Sequence, residues 1–224
     1  MSQPPPPPNA WDRPSTGGSF SVADAISYGW TAYWQNVGPM LLLTLVVIGV
    51  NLLIGFVGSG VHNTSGQIIL NLINFVVGII LAMGLIRASL AVVEGRMPEV
   101  KMLTTTDGFG AYLVASIIVT LGVFLGLIAL IVPGIILAIM WHFFGYVIVE
   151  SPTTRATDAM RRSAEITKGS RWQLFGLGWL LVLINLVGVL ACGVGLLFTY
   201  GISAITVAYV YKLLSGQPIT PLAR

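Results

Sequence analysis

Residues 111–132 read AYLVASIIVTLGVFLGLIALIV, and this run decides the fold. It has 22 residues and contains no Asp, Glu, Lys or Arg. A helix of about 20 apolar residues crosses the roughly 30 Å hydrocarbon core of a bilayer, because each residue adds about 1.5 Å. The run therefore predicts a transmembrane helix. Pro133 and Gly134 follow directly, and such residues predict a break where a hairpin reverses.

Five further apolar runs extend this interpretation to the whole chain. The sequence is 55% hydrophobic and only 8% charged, whereas soluble domains carry about 25% charged residues. We predict an all-α integral membrane protein with six transmembrane helices in three hairpins, together with cytoplasmic amphipathic helices. The predicted spans are Pro39–Gly58, Gln67–Ile86, Ala111–Val132, Pro133–Val149, Trp172–Ala191 and Val194–Lys212.

The charged residues all fall on one side of this arrangement. The 11 Lys and Arg residues and the eight acids lie at the termini or around the two long loops between hairpins. Because positively charged loops remain in the cytoplasm, we predict a multi-pass protein of the bacterial cell inner membrane with cytoplasmic N- and C-termini. Residues 1–19 are predicted to form a disordered Pro-rich cytoplasmic tail, residues 20–214 the six-helix membrane domain, and residues 215–224 a short cytoplasmic tail.

The sequence also contains a candidate internal repeat. The second helices of the first two hairpins align without gaps at a displacement of 56 residues, which takes Glu94 to Glu150, and a weaker third copy ends at Lys212. Asn51 and Asn185 correspond at a displacement of 134 residues. These matches predict three units, each an amphipathic segment followed by a hairpin. The alternative is a chance alignment of apolar runs.

Two segments outside the spans have the pattern of amphipathic helices. In Phe20–Val37, Ser21 and Asp24 form a capping box, and one face carries Ile26, Trp30, Tyr33 and Val37. In Pro152–Gly169, the apolar stripe consists of Ala156, Met160, Ala164 and Thr167.

The second segment is predicted to be a cytoplasmic basic helix that Gly169 ends, and its cations and the neighbouring one are Arg155, Arg161, Arg162, Lys168 and Arg171. We expect both helices to lie at the inner interface of the lipid bilayer. There each cation gains about 1 kcal/mol from anionic lipid. The alternative is that they pack beneath the bundle as topological anchors.

Polar residues within the predicted spans are candidates for function. His142 is the titratable residue nearest the middle of a span, and an intramembrane ionisable group is a functional candidate. The alternative is a neutral, hydrogen-bonded helix contact. Four amides also lie in the spans, and we favour packing contacts over substrate binding for them: Asn51, Asn71, Asn74 and Asn185.

Three charged residues are predicted at the inner boundary of the membrane. Arg87, Glu150 and Lys212 each follow or end an apolar run. Long basic side chains reach the interface from such positions, and Glu150 could pair with one of them. We expect an anchor or an ion pair here, not a proton path.

Motifs for catalysis or cofactor binding are missing from the sequence. It has no Walker-type glycine-rich loop and no HExxH motif. It also has no paired carboxylates within a span, and its one cysteine, Cys192, has no nearby histidine. We therefore predict that the protein is not an enzyme, that it has no catalytic, cofactor or metal residues, and that it does not bind nucleic acid.

Several helix-end patterns resemble a known family. They are VPGIILA at 132–138, YVIVE at 146–150, residues 159–172, NLVG at 185–188 and CGVGLL at 192–197. Together they resemble the uncharacterised six-helix bacterial membrane proteins related to the membrane domain of some glycerophosphodiester phosphodiesterases. The Pro-rich start resembles the actinobacterial proline- and glycine-rich transmembrane proteins. The resemblance covers residues 20–214 and implies the fold. The phosphodiesterase catalytic domain is missing, so that activity is not implied.

Two functions are compatible with these features. The first is a non-enzymatic bacterial inner-membrane protein with an accessory or scaffold role in envelope or lipid processes. It would act with a membrane-protein partner or as a homo-oligomer. The second is a small transporter or lipid-handling permease, which the repeats, the asparagines and His142 would suit.

Overall fold

A computed structural model describes residues 20–190 and 193–221. Regular structure in this part of the chain is helical. The α-helices are α1 (Val22–Gln35), α2 (Val37–Ser59), α3 (Thr64–Val93), α4 (Phe109–Ala129), α5 (Ile131–Met140), α6 (Phe144–Glu150), α7 (Ala156–Ile166), α8 (Arg171–Leu190) and α9 (Gly195–Leu214). A short 3-10 helix, Val100–Leu103, lies between α3 and α4. The Pro-rich tail and Cys192 lie outside the described residues.

Six segments of the described chain are long and apolar enough to span a membrane, which confirms the predicted fold class. They are α2, α3, α4, α8, α9 and a composite of α5 and α6, Ile131–Glu150. The second span continues to Val93, so α3 has 30 residues, about 45 Å of helix. This length carries the end of α3 beyond the hydrocarbon core.

The turn between α4 and α5 differs from the prediction. It lies at Leu130, whose backbone is extended with φ −163° and ψ 140°. Pro133 lies inside the first turn of α5, where its missing N–H needs no partner. Gly134, the next residue, lets α5 pack closely on α4. A Cβ on Gly126 of α4 would meet the Cα of Gly134 at 2.9 Å. The Pro-Gly pair therefore marks a close helix approach, not the hairpin corner.

A cavity lies between the start of α5 and the start of α8. Val132, near the hairpin turn, lines this cavity with Arg171 and Trp172.

The buried side chains gather at one end of the bundle. They lie in the second halves of α3 and α9, in α6, and in α1 and α7. We call this part the charged end, because α3, α6 and α9 finish there beside Glu94, Glu150 and Lys212. At the opposite end, large apolar side chains such as Phe56 and Leu190 face outward. Such a surface suits lipid.

Helix α1 packs along α9 through its small residues. Its buried positions are Ala25, Gly29, Ala32 and Tyr33, and the Tyr33 hydroxyl donates a hydrogen bond of 3.1 Å to the Leu197 carbonyl. Ser21 caps the helix by accepting from the Asp24 N–H at 3.2 Å, as predicted. Trp30 of the predicted apolar face is 54% exposed, whereas Tyr33 of the same face is buried. Small residues allow the close helix contact, and the large indole faces outward.

Helix α7 packs on α4 and α6 and bridges the break between α5 and α6. The Ser163 hydroxyl donates to the Met140 carbonyl at 2.9 Å and accepts from the Phe143 N–H at 3.0 Å. The hydroxyl thereby forms hydrogen bonds with two backbone groups, a carbonyl and an N–H, that have no regular helical partner where the helix is interrupted. The buried face includes Met160 and Thr167, as predicted, but also Ala159, Ser163 and Ile166, which were not in the predicted stripe.

The buried positions of the first and last units follow the predicted displacement of 134 residues. The four buried positions of α1 correspond to four buried positions around α7, and three buried positions of α2 correspond to three of α8. The pairs are Ala25 and Ala159, Gly29 and Ser163, Ala32 and Ile166, Tyr33 and Thr167, Met40 and Leu174, Leu43 and Leu177, and Val47 and Leu181. The two units thus share their packing as well as their sequence pattern.

Candidate functional site

Three charged side chains meet at the charged end, one from the end of each hairpin. The ammonium group of Lys212, at the end of α9, lies 2.6 Å from a carboxylate oxygen of Glu94. It also contacts the carboxylate of Glu150, at the end of α6. Lys212 is 4% exposed. We call these three residues with Tyr211 and Gln217 the charge cluster.

The hydrogen-bonding groups of the charge cluster are used within it. Lys212 has three N–H donors, and they meet Glu94, Glu150 and the side-chain oxygen of Gln217, the last at 2.5 Å. The second oxygen of Glu150 accepts from the Tyr211 hydroxyl at 2.7 Å and from the Gln217 amide at 2.8 Å. A buried charge is tolerated when it is paired and hydrogen-bonded in this way. The arrangement suits a structural lock between hairpins.

The carboxyl of Glu94 titrates differently from an isolated carboxyl. Burial would raise its pKa, but hydrogen bonds and charges from Lys212 and Arg96 outweigh burial, so the pKa lies below the usual 4.5. The Arg96 Nε contacts Glu94 at 3.1 Å from the exposed side. Glu94 is therefore held as a carboxylate.

A cavity of about 500 Å³ adjoins the charge cluster. Its lining includes Arg87, whose guanidinium donates to the carbonyls of Thr105 at 2.5 Å and Asp107 at 2.7 Å. Arg87 thus fixes the loop before α4 to α3 and is not free to extend into solvent. Of the three residues predicted at the inner boundary, Glu150 and Lys212 are in contact, and Arg87 lies on the other side of the same cavity.

Sequence reasoning did not single out several members of the site. Gln217 belongs to the segment expected to be a short tail, but residues 215–221 fold back on the bundle: the Thr220 N–H donates to the Val93 carbonyl at 3.0 Å. Glu94 was visible only as the repeat partner of Glu150. Their shared displacement of 56 residues is the signal that could have placed both at one site.

The four asparagines have different surroundings. Asn51 and Asn185 each donate to the carbonyl four residues earlier, at 2.7 and 2.8 Å, and Asn185 also donates to Ser203 of α9 at 2.8 Å. Asn71 and Asn74 lie on the exposed face of α3, and neither side chain bonds to a described residue. The structure brings none of these four amides into the charge cluster.

The predicted basic helix is divided among several elements. Arg161 and Arg162 lie in α7 and contact Glu165 at 3.4 and 3.5 Å. Arg155 directly precedes α7 and makes no side-chain capping bond, Lys168 lies in the turn after α7, and Arg171 begins α8. Gly169, which the sequence marks as the end of this segment, turns the chain with φ +94° before Arg171 begins α8.

His142 lies in the break between α5 and α6 and lines a groove between α5 and α8. The groove consists of two adjoining cavities of about 490 and 300 Å³, which share Ile135, Ile139 and Phe175. We call it the α5–α8 groove. Its lining is apolar apart from His142 and, at one end, Arg171.

The fold and these contacts define a multi-pass α-helical membrane protein. The uncharacterized protein Rv2560 of Mycobacterium tuberculosis (strain ATCC 25618 / H37Rv) is 25% identical to this chain over 249 aligned positions, covering 98% of this chain and 76% of the relative. The uncharacterized protein Mb2590 of Mycobacterium bovis gives the same identity and coverage. No protein-family model matches the chain, and no solved structure matches it. The similarity is thus to proteins whose names state no activity.

Proposed function

We propose that this protein is a non-enzymatic accessory or scaffold subunit of a bacterial inner membrane, acting in envelope or lipid processes. The observation that carries the proposal is the charge cluster. Its donors and acceptors are engaged with one another, which suits a rigid support for other molecules better than a site that binds and releases a substrate. The resemblance to proteins related to a phosphodiesterase membrane domain also supports a role near lipids.

The topology belongs to the same proposal. The cations of the sequence lie on one side of the six spans, so that side faces the cytoplasm, together with both termini. The cytoplasmic face then carries α7 and its basic neighbours, and it contacts anionic lipid.

The exposed amides of α3 support the proposal that the protein binds another membrane protein. In hydrocarbon, an amide without a hydrogen-bond partner is costly. Asn71 and Asn74 lack partners among the described residues, and both face outward at the end away from the charge cluster. A polar group on a helix of another membrane protein would satisfy them.

Site-specific photo-crosslinking in intact cells tests the scaffold role. A photoreactive residue at Leu72, between the two amides and 60% exposed, should give one discrete product with another membrane protein. The product should disappear in the Asn71→Leu/Asn74→Leu variant. It should persist in Asn51→Leu, since Asn51 is already bonded within its own helix.

Two outcomes contradict the scaffold role. One is the absence of any product, and the other is a product of equal yield from Val187, an exposed position on α8. A product that contains only two copies of this chain would show that the protein acts as a homo-oligomer and not with a different partner.

A small transporter or lipid-handling permease is the second candidate, and the α5–α8 groove favours it. Purified protein in liposomes should then accelerate lipid movement between leaflets, and His142→Phe should slow that movement. Lipid movement equal to that of protein-free liposomes would remove this candidate and leave the scaffold role intact.

A further inference from the structure

We propose that the α5–α8 groove binds one anionic phospholipid, with the phosphate at Arg171 and an acyl chain along the groove. The lipid is a bound component of the fold. The proposal does not depend on the scaffold role, because it concerns a surface remote from Asn71 and Asn74.

The shape of the groove suits a hydrocarbon chain. The two cavities share three lining residues, so they are continuous. The lining between α5 and α8 is made of Ile, Leu, Val, Phe and Trp side chains, with Gly178 and Ala138 providing width. Trp179 and Val182 on its rim are each 58% exposed, so the groove opens onto the lipid-facing surface.

The charge at one end of the groove suits a phosphate. Arg171 lines the smaller cavity and makes no ion pair with a described residue. Arg96, Arg161, Arg162 and Lys212, in contrast, contact carboxylates. Guanidinium groups bind phosphate oxygens through paired N–H donors. Trp172, beside Arg171, is 85% exposed, which is typical of an indole at headgroup depth.

A polar group lies within the groove as well. The His142 imidazole contacts the Phe143 ring, with centroids 5.2 Å apart, and has no hydrogen-bond partner among the described residues. His142 is exposed on the groove surface, and in hydrocarbon an imidazole N–H without an acceptor is costly. The ester carbonyl oxygen of a phospholipid supplies one at the junction of head and chain. A transmembrane helix of a partner would fill the apolar groove but would not supply a phosphate to Arg171.

Native mass spectrometry of the full chain in detergent tests the proposal, with phosphatidylglycerol and phosphatidylcholine of identical chains as probes. The wild-type protein should bind its first phosphatidylglycerol at least 5-fold more tightly than phosphatidylcholine. Arg171→Gln should remove this preference, whereas Arg161→Gln should retain it. His142→Phe should weaken the binding of both lipids about equally, since both carry ester carbonyls.

A matched pair of glycine substitutions tests the position of the acyl chain. A Cβ on Gly178 or on Gly176 meets nothing within 4 Å, so neither substitution disturbs the backbone packing of α8. Only Gly178 lines the groove. Gly178→Leu should weaken binding of both lipids at least 5-fold, and Gly176→Leu should leave it unchanged.

The proposal is overturned if the wild-type protein binds both lipids equally, or if Arg171→Gln keeps the preference. It is also overturned if Gly178→Leu and Gly176→Leu behave alike, or if inorganic phosphate alone displaces phosphatidylglycerol. Should Arg171→Gln fail to fold, the deciding measurement is quenching by brominated phosphatidylglycerol in a variant that keeps Arg171 and has Trp179 as its single tryptophan, the other five being replaced by Phe. Quenching no stronger than by brominated phosphatidylcholine overturns the proposal.

Discussion

Lys212 remains charged at the end of α9 because two carboxylates and one amide oxygen surround its ammonium group. Removing an ion of this size from water costs several kcal/mol, and only well-placed partners offset that cost. The partners come from the ends of two other hairpins, Glu94 and Glu150. One lysine therefore connects the ends of three hairpins. A third glutamate in place of Lys212 would instead repel Glu94 and Glu150.

Replacing Lys212 should reveal this connection. Lys212→Met leaves two partly buried carboxylates without their shared cation, and we expect it to lower the free energy of unfolding by about 2–4 kcal/mol. Removing the charge of a partner as well, in Glu150→Gln/Lys212→Met, should recover part of the loss. Thermal unfolding in detergent micelles measures both. The control Arg161→Gln removes an 83% exposed cation and should change stability by less than about 1 kcal/mol. A Lys212→Met protein as stable as this control would contradict the lock.

Acid should lower the stability of the protein by protonating Glu94, which then no longer pairs with Lys212. The folded-state pKa of Glu94 lies below its usual 4.5, so its contribution to stability is fully present above about pH 4.5 and is lost as the pH falls through the lowered pKa. We expect the melting temperature to fall more steeply below pH 4.5 in the wild-type protein than in Glu94→Gln. Identical acid profiles for the two proteins would refute this contribution.

Among the elements, α1 and α7 show why an apolar pattern alone does not identify a buried face. In a membrane protein both the lipid side and the protein side of a helix are apolar, so the period of the pattern leaves the orientation open. The size of the residues distinguishes the two sides: the small Gly29 and Ala32 are buried against the bundle, while the large Trp30 faces outward. The same reasoning explains Gly126 and Gly134, which mark a contact and not a turn.

A pair of glycine variants tests the contact between α1 and α9. A Cβ on Gly29 would overlap the Thr206 hydroxyl and approach the Ile202 carbonyl at 3.1 Å, so Gly29→Ala should destabilise the protein by about 1–3 kcal/mol. A Cβ on Gly49 meets nothing within 4 Å. Gly49→Ala, inside α2, should therefore stabilise the protein by about 0.5–1 kcal/mol. Thermal unfolding in micelles measures both changes. Equal effects of the same sign would contradict the close approach.

The six spans were predictable from the sequence because each must be about 20 apolar residues long, whatever its neighbours. The charge cluster was only partly predictable. Glu150 and Lys212 stand out as charges at the ends of apolar runs, but their meeting depends on how the hairpins pack. Gln217 offered no sequence signal, because a polar residue after the last span is expected in any membrane protein.

For the molecule as a whole, the two ends of the bundle have different structures. The charged end carries the buried core, the charge cluster and the short helices α1 and α7, while the opposite end presents apolar side chains outward.

Cysteine labelling in intact cells tests most directly whether the charged loops all lie on the cytoplasmic side of the membrane. In a Cys192→Ser background, single cysteines at Asn63, Lys101 and Arg161 would be exposed to a membrane-impermeant maleimide before and after permeabilisation. We predict that the cysteine at Asn63 reacts in intact cells and that those at Lys101 and Arg161 react only after permeabilisation. Labelling of the Lys101 or Arg161 position from outside intact cells would contradict the topology.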